Sequence, residues 1–254
     1  MERERRLVTC AHHGCYGQEN NLEAARLVLK QNREIGLMEI DFVEYGGQFV
    51  SSHDHTPHSC ANGSTLAQWV EFLCVRKRRL LYMDLKAQYG LWSWWQPQHK
   101  FNLAALLQEL NRLREYYMSS RRKHPVDITR LIWIASQDPD VAQQLLLHCH
   151  GTPWIPIADI PYMSAYVKRA VTPSCMWPAV NQTVLGEMLH TQYPLQIAAI
   201  DCSFLAGTSF EKFVRDAGIQ PGATLIPYAF ERTQRPIELE GYTVIMVYNY
   251  RASL

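Results

Sequence analysis

Nowhere in this 254-residue chain do about 18 apolar residues follow one another, which excludes a membrane-spanning helix. The opening residues, MERERRLVTCAHHG, carry charge but lack the apolar stretch that a secretory leader needs. The seven cysteines (Cys10, Cys15, Cys60, Cys74, Cys149, Cys175 and Cys202) contain no CxxC pair and are odd in number. In a chain of this size that pattern reads as buried or free thiols rather than a disulfide framework. Charge of one sign is missing too. Lys and Arg number 25 against 24 Asp and Glu, a net +1, so no global field draws nucleic acid or an anionic membrane. Any preference for an anionic substrate has to come from local groups. Linkers rich in Pro, Gly or Ser, low-complexity tracts and close internal repeats are also absent. The resulting expectation is one domain over residues 1–254, in a reducing cytoplasmic compartment unless an upstream signal has been lost.

What is present is an apolar fraction of 47% beside 19% charged residues, enough for a sizeable core. Short apolar runs alternate with helical periodicity. Leu7–Cys10 is the first run and ends in AHHG. In NNLEAARLVLKQNREIG, the apolar residues Leu22, Ala25 and Leu29 share a helical face, with Gly36 as the stop. GLMEIDFVEY alternates like a strand, and Gly46–Gly47 turns it into QFVSSHDHT, a second strand of the same kind. Ser64 is placed to cap a helix reaching about Arg76, with Leu66, Trp69, Val70 and Leu73 on one face.

LLYMDLKA is the next strand, and a Leu-rich helix follows from about Asn102 to Arg122. ITRLIWIAS, WIPIAD, LQIAAIDCSFL, ATLIPYAF and TVIMVYNY supply the later strands. The intervening helices fall on VAQQLLLHCH, Gln182–Thr191 and Ser209–Ala217. Regular β-then-α order argues for a parallel sheet, and about eight units in this length argue for a closed (β/α)₈ TIM barrel. The alternative is a doubly wound open sheet.

In such a barrel the C-terminal ends of the strands converge on one rim, where the active site lies. Here those ends carry His12 and His13, then Glu39 and Asp41, then His53, Asp54 and His55, then Asp84 and Lys86. Glu39 and Asp41 are two apart on a strand and face the same way, as do Asp84 and Lys86. Taken singly, an ExD pair is usually a solvated face, a lone histidine a hydrogen-bonded structural residue, and Lys86 a surface ion-pair partner. The apolar neighbours of Glu39, Asp41 and Asp84 argue against a solvated face. Three buried carboxylates need a compensating cation. An all-oxygen set suits one hard divalent ion, Mg²⁺ or Ca²⁺. The HDH run offers zinc ligands, but no cysteine pair or HExxH accompanies it, so zinc ranks low.

AHHG, QENNLEAARLVL, MEIDF, SSHDHT and MDLK, taken in order, resemble the motifs of the glycerophosphodiester phosphodiesterases, in the phospholipase C-like phosphodiesterase superfamily. There they read approximately AHRG, PENTLEAF, ELDV, xHDxT and IELK. The likeness continues through IASQDPDVAQQLL, WIPIAD and TVIMVYNY, so it covers nearly the whole chain. The resemblance implies a metal-dependent phosphodiesterase with His12 and His53 as the catalytic pair and Glu39, Asp41 and Asp84 as metal ligands. It also implies Lys86, His13 and Glu19 as substrate-binding residues.

Three departures stand out. His13 replaces an arginine that would grip phosphate with two donors. Asp84 replaces a glutamate. The stretch from His53 to Asp84, about 30 residues, is too short for the family's small insertion domain. That short connection and DLK are similar to the spider-venom sphingomyelinase D branch, whose members act on whole phospholipids. The expected substrate is a small-molecule or lipid phosphodiester. Two rival readings are a phospholipid-directed lyase or phospholipase D giving a cyclic phosphate, and an inactive barrel used for binding. The basic stretch Arg112–Lys123 reads as a solvated face, with peripheral contact to anionic lipid as the other reading. Trp92, Trp94 and Trp95 read as packing on the long helix, or as a lid touching lipid.

Overall fold

The computed structural model describes residues 9–53, 55–86, 101–119, 124–136, 139–160, 197–201, 209–216, 219–228 and 237–252. The expected Gln182–Thr191 helix, the Trp92–Trp95 segment, Asp54, Cys175 and Cys202 lie outside those residues. The chain opens with β1 (Thr9–Ala11), α1 (Leu22–Gln31), β2 (Ile35–Tyr45), β3 (Gln48–Ser51), α2 (Pro57–Asn62) and α3 (Leu66–Trp69). It continues through β4 (Leu80–Leu85), α4 (Leu103–Met118), β5 (Ile132–Ala135), α5 (Pro139–Cys149), β6 (Ile155–Pro156) and β7 (Ala158–Ile160). The remaining elements are β8 (Ile197–Asp201), α6 (Phe210–Asp216), β9 (Thr224–Tyr228), β10 (Thr243–Val244) and β11 (Met246–Tyr248).

Local chemistry sets several boundaries. Asn21 caps α1 by accepting from the Ala24 N–H at 3.0 Å. The helix stops at Asn32, whose backbone and side-chain N–H groups both donate to the Val28 carbonyl. Gly36, expected to end that helix, lies instead inside β2. Thr65, rather than Ser64, starts the next helix, forming a capping box with Gln68. That helix widens into a π-helical run, Val70–Arg76, which keeps Val70, Phe72, Leu73 and Cys74 buried.

The strands form two mostly parallel sheets, in the order β11-β1-β2-β4-β5-β6 and β10-β9-β8-β7. QFVSSHDHT does not take a place among the parallel strands. Its start, β3, folds back antiparallel on β2, pairing Tyr45 with Gln48 across the Gly46–Gly47 turn. Both glycines have positive φ, as a hairpin turn of this kind requires. Only Ile157 separates β6 from β7, and only Ile245 separates β10 from β11. The chain thus crosses between the sheets at these two places, once in each direction, in a barrel-like arrangement. Among the described residues the ring of strand hydrogen bonds is not closed, unlike the continuous barrel expected. Tilted, staggered strands account for this: one end of each interrupted strand pairs left and the other end pairs right.

Alternation along the strands sorts side chains into two layers. Cys10, Leu37, Tyr82, Trp133, Ile197, Ala199, Ile226 and Val247, from both sheets, pack into one inner cluster. The opposite faces, such as Met38, Ile40, Met83 and Ile134, pack outward with residues of α1, α3 and α4. Ala198, Ile200 and Leu225 do the same with Phe210 and Val214 of α6. Among the described residues no helix is long and apolar enough to cross a membrane. Cys10, Cys15, Cys60, Cys74 and Cys149 are buried free thiols.

Candidate active site

The parallel register of β2 and β4 sets Asp41 directly beside Asp84. Glu39, two residues earlier on β2, faces the same way. All three carboxylates are buried, Asp41 completely. One oxygen from each lies within 4.8 Å of the others. Lys86, just beyond β4, donates to Asp84 and stands 3.0 Å from Asp41 Oδ1. The three expected ligands and the expected lysine therefore meet at one end of neighbouring strands.

His12 and His13 follow β1, and His53 follows the hairpin strand β3. His13 takes φ +49°, a turn held because its N–H donates to Glu39 Oε2 at 2.7 Å. Its carbonyl accepts from the N–H groups of Cys15 and Asn20. The His13 ring stacks on His12 at 3.7 Å and lies 5.5 Å from the His53 ring. His13 Nε2 is 3.4 Å from Asp41 Oδ2 and 3.8 Å from Glu39 Oε2, while Nδ1 faces Glu19 Oε2 at 3.7 Å. His12 Nε2 lies 3.9 Å from Glu39 Oε2. Every expected site residue is thus gathered around one acidic centre.

Two further residues belong to the centre. Buried Asn20 donates to Asp41 Oδ2 at 2.8 Å and accepts the Asp41 N–H at 2.9 Å, fixing that carboxylate. Asn249, just past β11, meets His12 Nδ1 at 3.1 Å. Both carry a signal in the sequence. Asn20 lies within QENN, and Asn249 ends the last strand, where rim residues belong.

Burial and mutual repulsion govern the charges. Burial, with Asp41 and Asp84 nearby, pushes Glu39 up to about 8, so it holds a proton at neutral pH. Burial also works against ionised Asp41. Lys86, His13 and the Asn20 hydrogen bond outweigh it and hold Asp41 below its ordinary value. Lys86 loses solvation as well, yet Asp84, Asp41 and Glu39 raise it further and keep it charged. Burial lowers His13, and Lys86 adds to this against the pull of Asp41, which favours the neutral ring. Burial and the Glu39 carboxylate push the Cys10 thiol far up.

The donor set fits a hard cation. Asp84 Oδ1 is buried without a hydrogen-bond partner, and Asp41 Oδ1 has only the Lys86 ion pair. Buried oxygens left this way are costly unless a cation meets them. Glu39, Asp84, Lys86, His12 and His13 line a pocket of about 50 Å³ with Tyr82, Ile226, Tyr228 and Val247. At about 30 Å³ per water in the liquid, that holds an ion or a pair of waters.

One solved structure is similar in fold over 96% of this chain and 90% of its own, with a TM-score of 0.54 and 14% identity. It is described as a "putative glycerophosphoryl diester phosphodiesterase" from Silicibacter pomeroyi DSS-3. No protein-family model and no curated protein matches the chain.

Proposed function

We propose that this chain is a metal-dependent phosphodiesterase that cleaves glycerophosphodiesters or related lipid-derived phosphodiesters, with His12 and His53 as its acid/base pair. The observation that carries the reading is the buried trio Glu39, Asp41 and Asp84, with an unpartnered Asp84 oxygen, beneath the histidines. The fold likeness agrees with it, as does the motif order AHHG, MEIDF, HDHT and MDLK.

Glu39, Asp41 and Asp84 would hold one Mg²⁺ or Ca²⁺, which when bound supplies Lewis-acid stabilisation of phosphoryl charge. Asn20 keeps the Asp41 carboxylate oriented. Lys86, kept charged by its acidic neighbours, places positive charge where phosphate oxygens arrive. His12 is oriented through Nδ1 by Asn249, which leaves Nε2 turned to the centre to move a proton. His53 has the complementary role. One ring accepts the proton of a substrate hydroxyl or a water, and the other protonates the leaving alkoxide. The short stretch from His53 to Asp84 lacks room for the small insertion domain of the family that the sequence resembles, which suits a lipid-derived substrate. Peripheral contact with a membrane surface accords with that reading.

A panel of glycerophosphodiesters, lysophospholipids and sphingomyelin, each with Mg²⁺, Ca²⁺ or chelator, tests it. Turnover with one hard ion, lost on chelation and in H12A and H53A, is expected. Activity retained in both single variants overturns the acid/base assignment. Product mass separates hydrolysis from cyclic-phosphate release. His13 in place of arginine favours a second reading, a barrel that binds without turning over, since a neutral imidazole grips phosphate less well than a guanidinium. Ion binding with no turnover across the panel would select it.

A further inference from the structure

The position where His13 replaces arginine has a consequence for the ligand chemistry of the site. His12 Nε2 and His13 Nε2 stand 3.9 and 3.8 Å from one oxygen, Glu39 Oε2, which also accepts the His13 N–H; His13 Nε2 is 3.4 Å from Asp41 Oδ2 as well. These two nitrogens and a Glu39 oxygen lie within 4.8 Å of one another. The His12 ring has a hydrogen-bond partner on its far side, Asn249 Oδ1 at 3.1 Å from Nδ1, and on the far side of His13 the Glu19 carboxylate stands at ion-pair distance, 3.7 Å from Nδ1. An outer acceptor on one ring nitrogen, with the other nitrogen turned inward, is how metal-binding imidazoles are oriented.

We propose that His12, His13 and Glu39 form a second cation site, selective for borderline transition metals such as Zn²⁺ or Co²⁺. It lies beside the carboxylate trio and regulates the activity proposed above by withdrawing His12 from proton transfer. The proposal rests on that reading for its regulatory part only.

The chemistry separates the two positions. Two imidazoles and one carboxylate suit Zn²⁺ and its neighbours in hardness, whereas the all-oxygen trio suits Mg²⁺ or Ca²⁺. With metal–ligand bonds of about 2.0–2.1 Å, tetrahedral ligand atoms stand roughly 3.3 Å apart, so the two nitrogen–oxygen spacings of 3.9 and 3.8 Å have to contract and the His12 ring, stacked on His13, has to swing. Three backbone hydrogen bonds hold the His13 turn. His12 is the half-exposed member, so the contraction falls on the side chain with room to move. Glu39 is shared between the two positions, so occupancy of one affects the other. The guanidinium that resembles the family's pattern at position 13 carries no acceptor and cannot ligate.

Co²⁺ titrated into the full chain, followed by visible absorption and equilibrium dialysis, tests the site without reference to turnover. The expected result is one Co²⁺ with the intense visible bands of a tetrahedral, nitrogen-bearing site, displaced by Zn²⁺ and not by Mg²⁺. H13R abolishes those bands. E19Q and N249A, which leave all three ligands in place, weaken Co²⁺ binding about 10–100-fold. Circular dichroism shows each variant folded. Absence of tetrahedral bands in the native chain, or bands unchanged in folded H13R, overturns the site. Where turnover with Mg²⁺ or Ca²⁺ is found, added Zn²⁺ should suppress it in the native chain and not in residual-activity H13R. Suppression equal in both overturns the regulatory role. Co²⁺ binding without turnover on any phosphodiester would overturn the proposed function and leave the metal site standing.

Discussion

The seven-stranded and four-stranded sheets share one interior but equip it differently. In the larger sheet, β2 and β4 carry Glu39, Asp41 and Asp84, and the residues just after β1, β4 and the β3 hairpin add His12, His13, Lys86 and His53. The smaller sheet meets the same pocket with Ile226 and Tyr228. The contrast shows how a buried acidic centre is tolerated. Among the described residues, the charged groups of the centre lie on the side where Lys86, Asn20 and the His13 N–H compensate them. The apolar wall opposite excludes water and strengthens every interaction among those charges. It is therefore one cause of the raised Glu39 value.

The contrast can be broken from either side. H12A and H53A should each lower kcat by roughly 10²–10⁴, with folding stability nearly unchanged, since neither ring is deeply buried. Steady-state kinetics beside thermal melts checks this, and an equal loss in stability would count against it. D41N should cost on the order of 3 kcal/mol in denaturant unfolding, because Lys86 stays buried with less opposing charge. I226A attacks the wall instead. It should cost about 2–5 kcal/mol of stability while leaving cation affinity, read by calorimetry, within a few-fold of the native value. A large affinity loss there would mean the wall positions the acids as well as insulating them.

The pH dependence sharpens the same comparison. Glu39 rises from 4.5 to about 8 on folding, so the stability its neutral form contributes is complete below its ordinary value. That contribution is lost as pH climbs through about 8. In chelator, Tm should fall between about pH 5 and pH 8.5, and Mg²⁺ or Ca²⁺ should flatten the fall. E39Q should remove this slope. Asp41, held low, acts in the opposite window: its contribution is present above its ordinary value and fades in acid. The smallest effect concerns the fold far from the centre. T65A removes the cap on the Gln68 N–H and should cost about 1 kcal/mol.

The centre was more legible in the sequence than the path of the chain around it. Strand alternation puts Glu39 and Asp41 on one face, and the end-of-strand rule gathers His12, Asp84 and Lys86 without reference to distance. Sequence order could not show that Asp41 pairs with Asp84 in register, since register depends on neighbours far along the chain. QFVSSHDHT reads as one more barrel strand, whereas β3 returns on β2, because an antiparallel return and a parallel strand share the same alternation. Gly36 looked like a helix stop because glycine commonly follows helices, but Asn32 satisfied the last carbonyl first. Asn20 stands in the QENN stretch, but spacing alone does not show that its side chain closes on Asp41.

The two interruptions, at Ile157 and Ile245, have a mechanical meaning. Ile157 donates its N–H to the Ile134 carbonyl of the larger sheet, and Ile245 donates to the Leu225 carbonyl of the smaller one. The two sheets are also joined through their shared interior, where Ile157 and Ile245 pack with Cys10 and Leu37 of one sheet and Ile197 and Ile226 of the other. Glu39, Asp41, Asp84, His12, His13 and His53 all sit on the larger sheet's side, so no distance among them spans a seam.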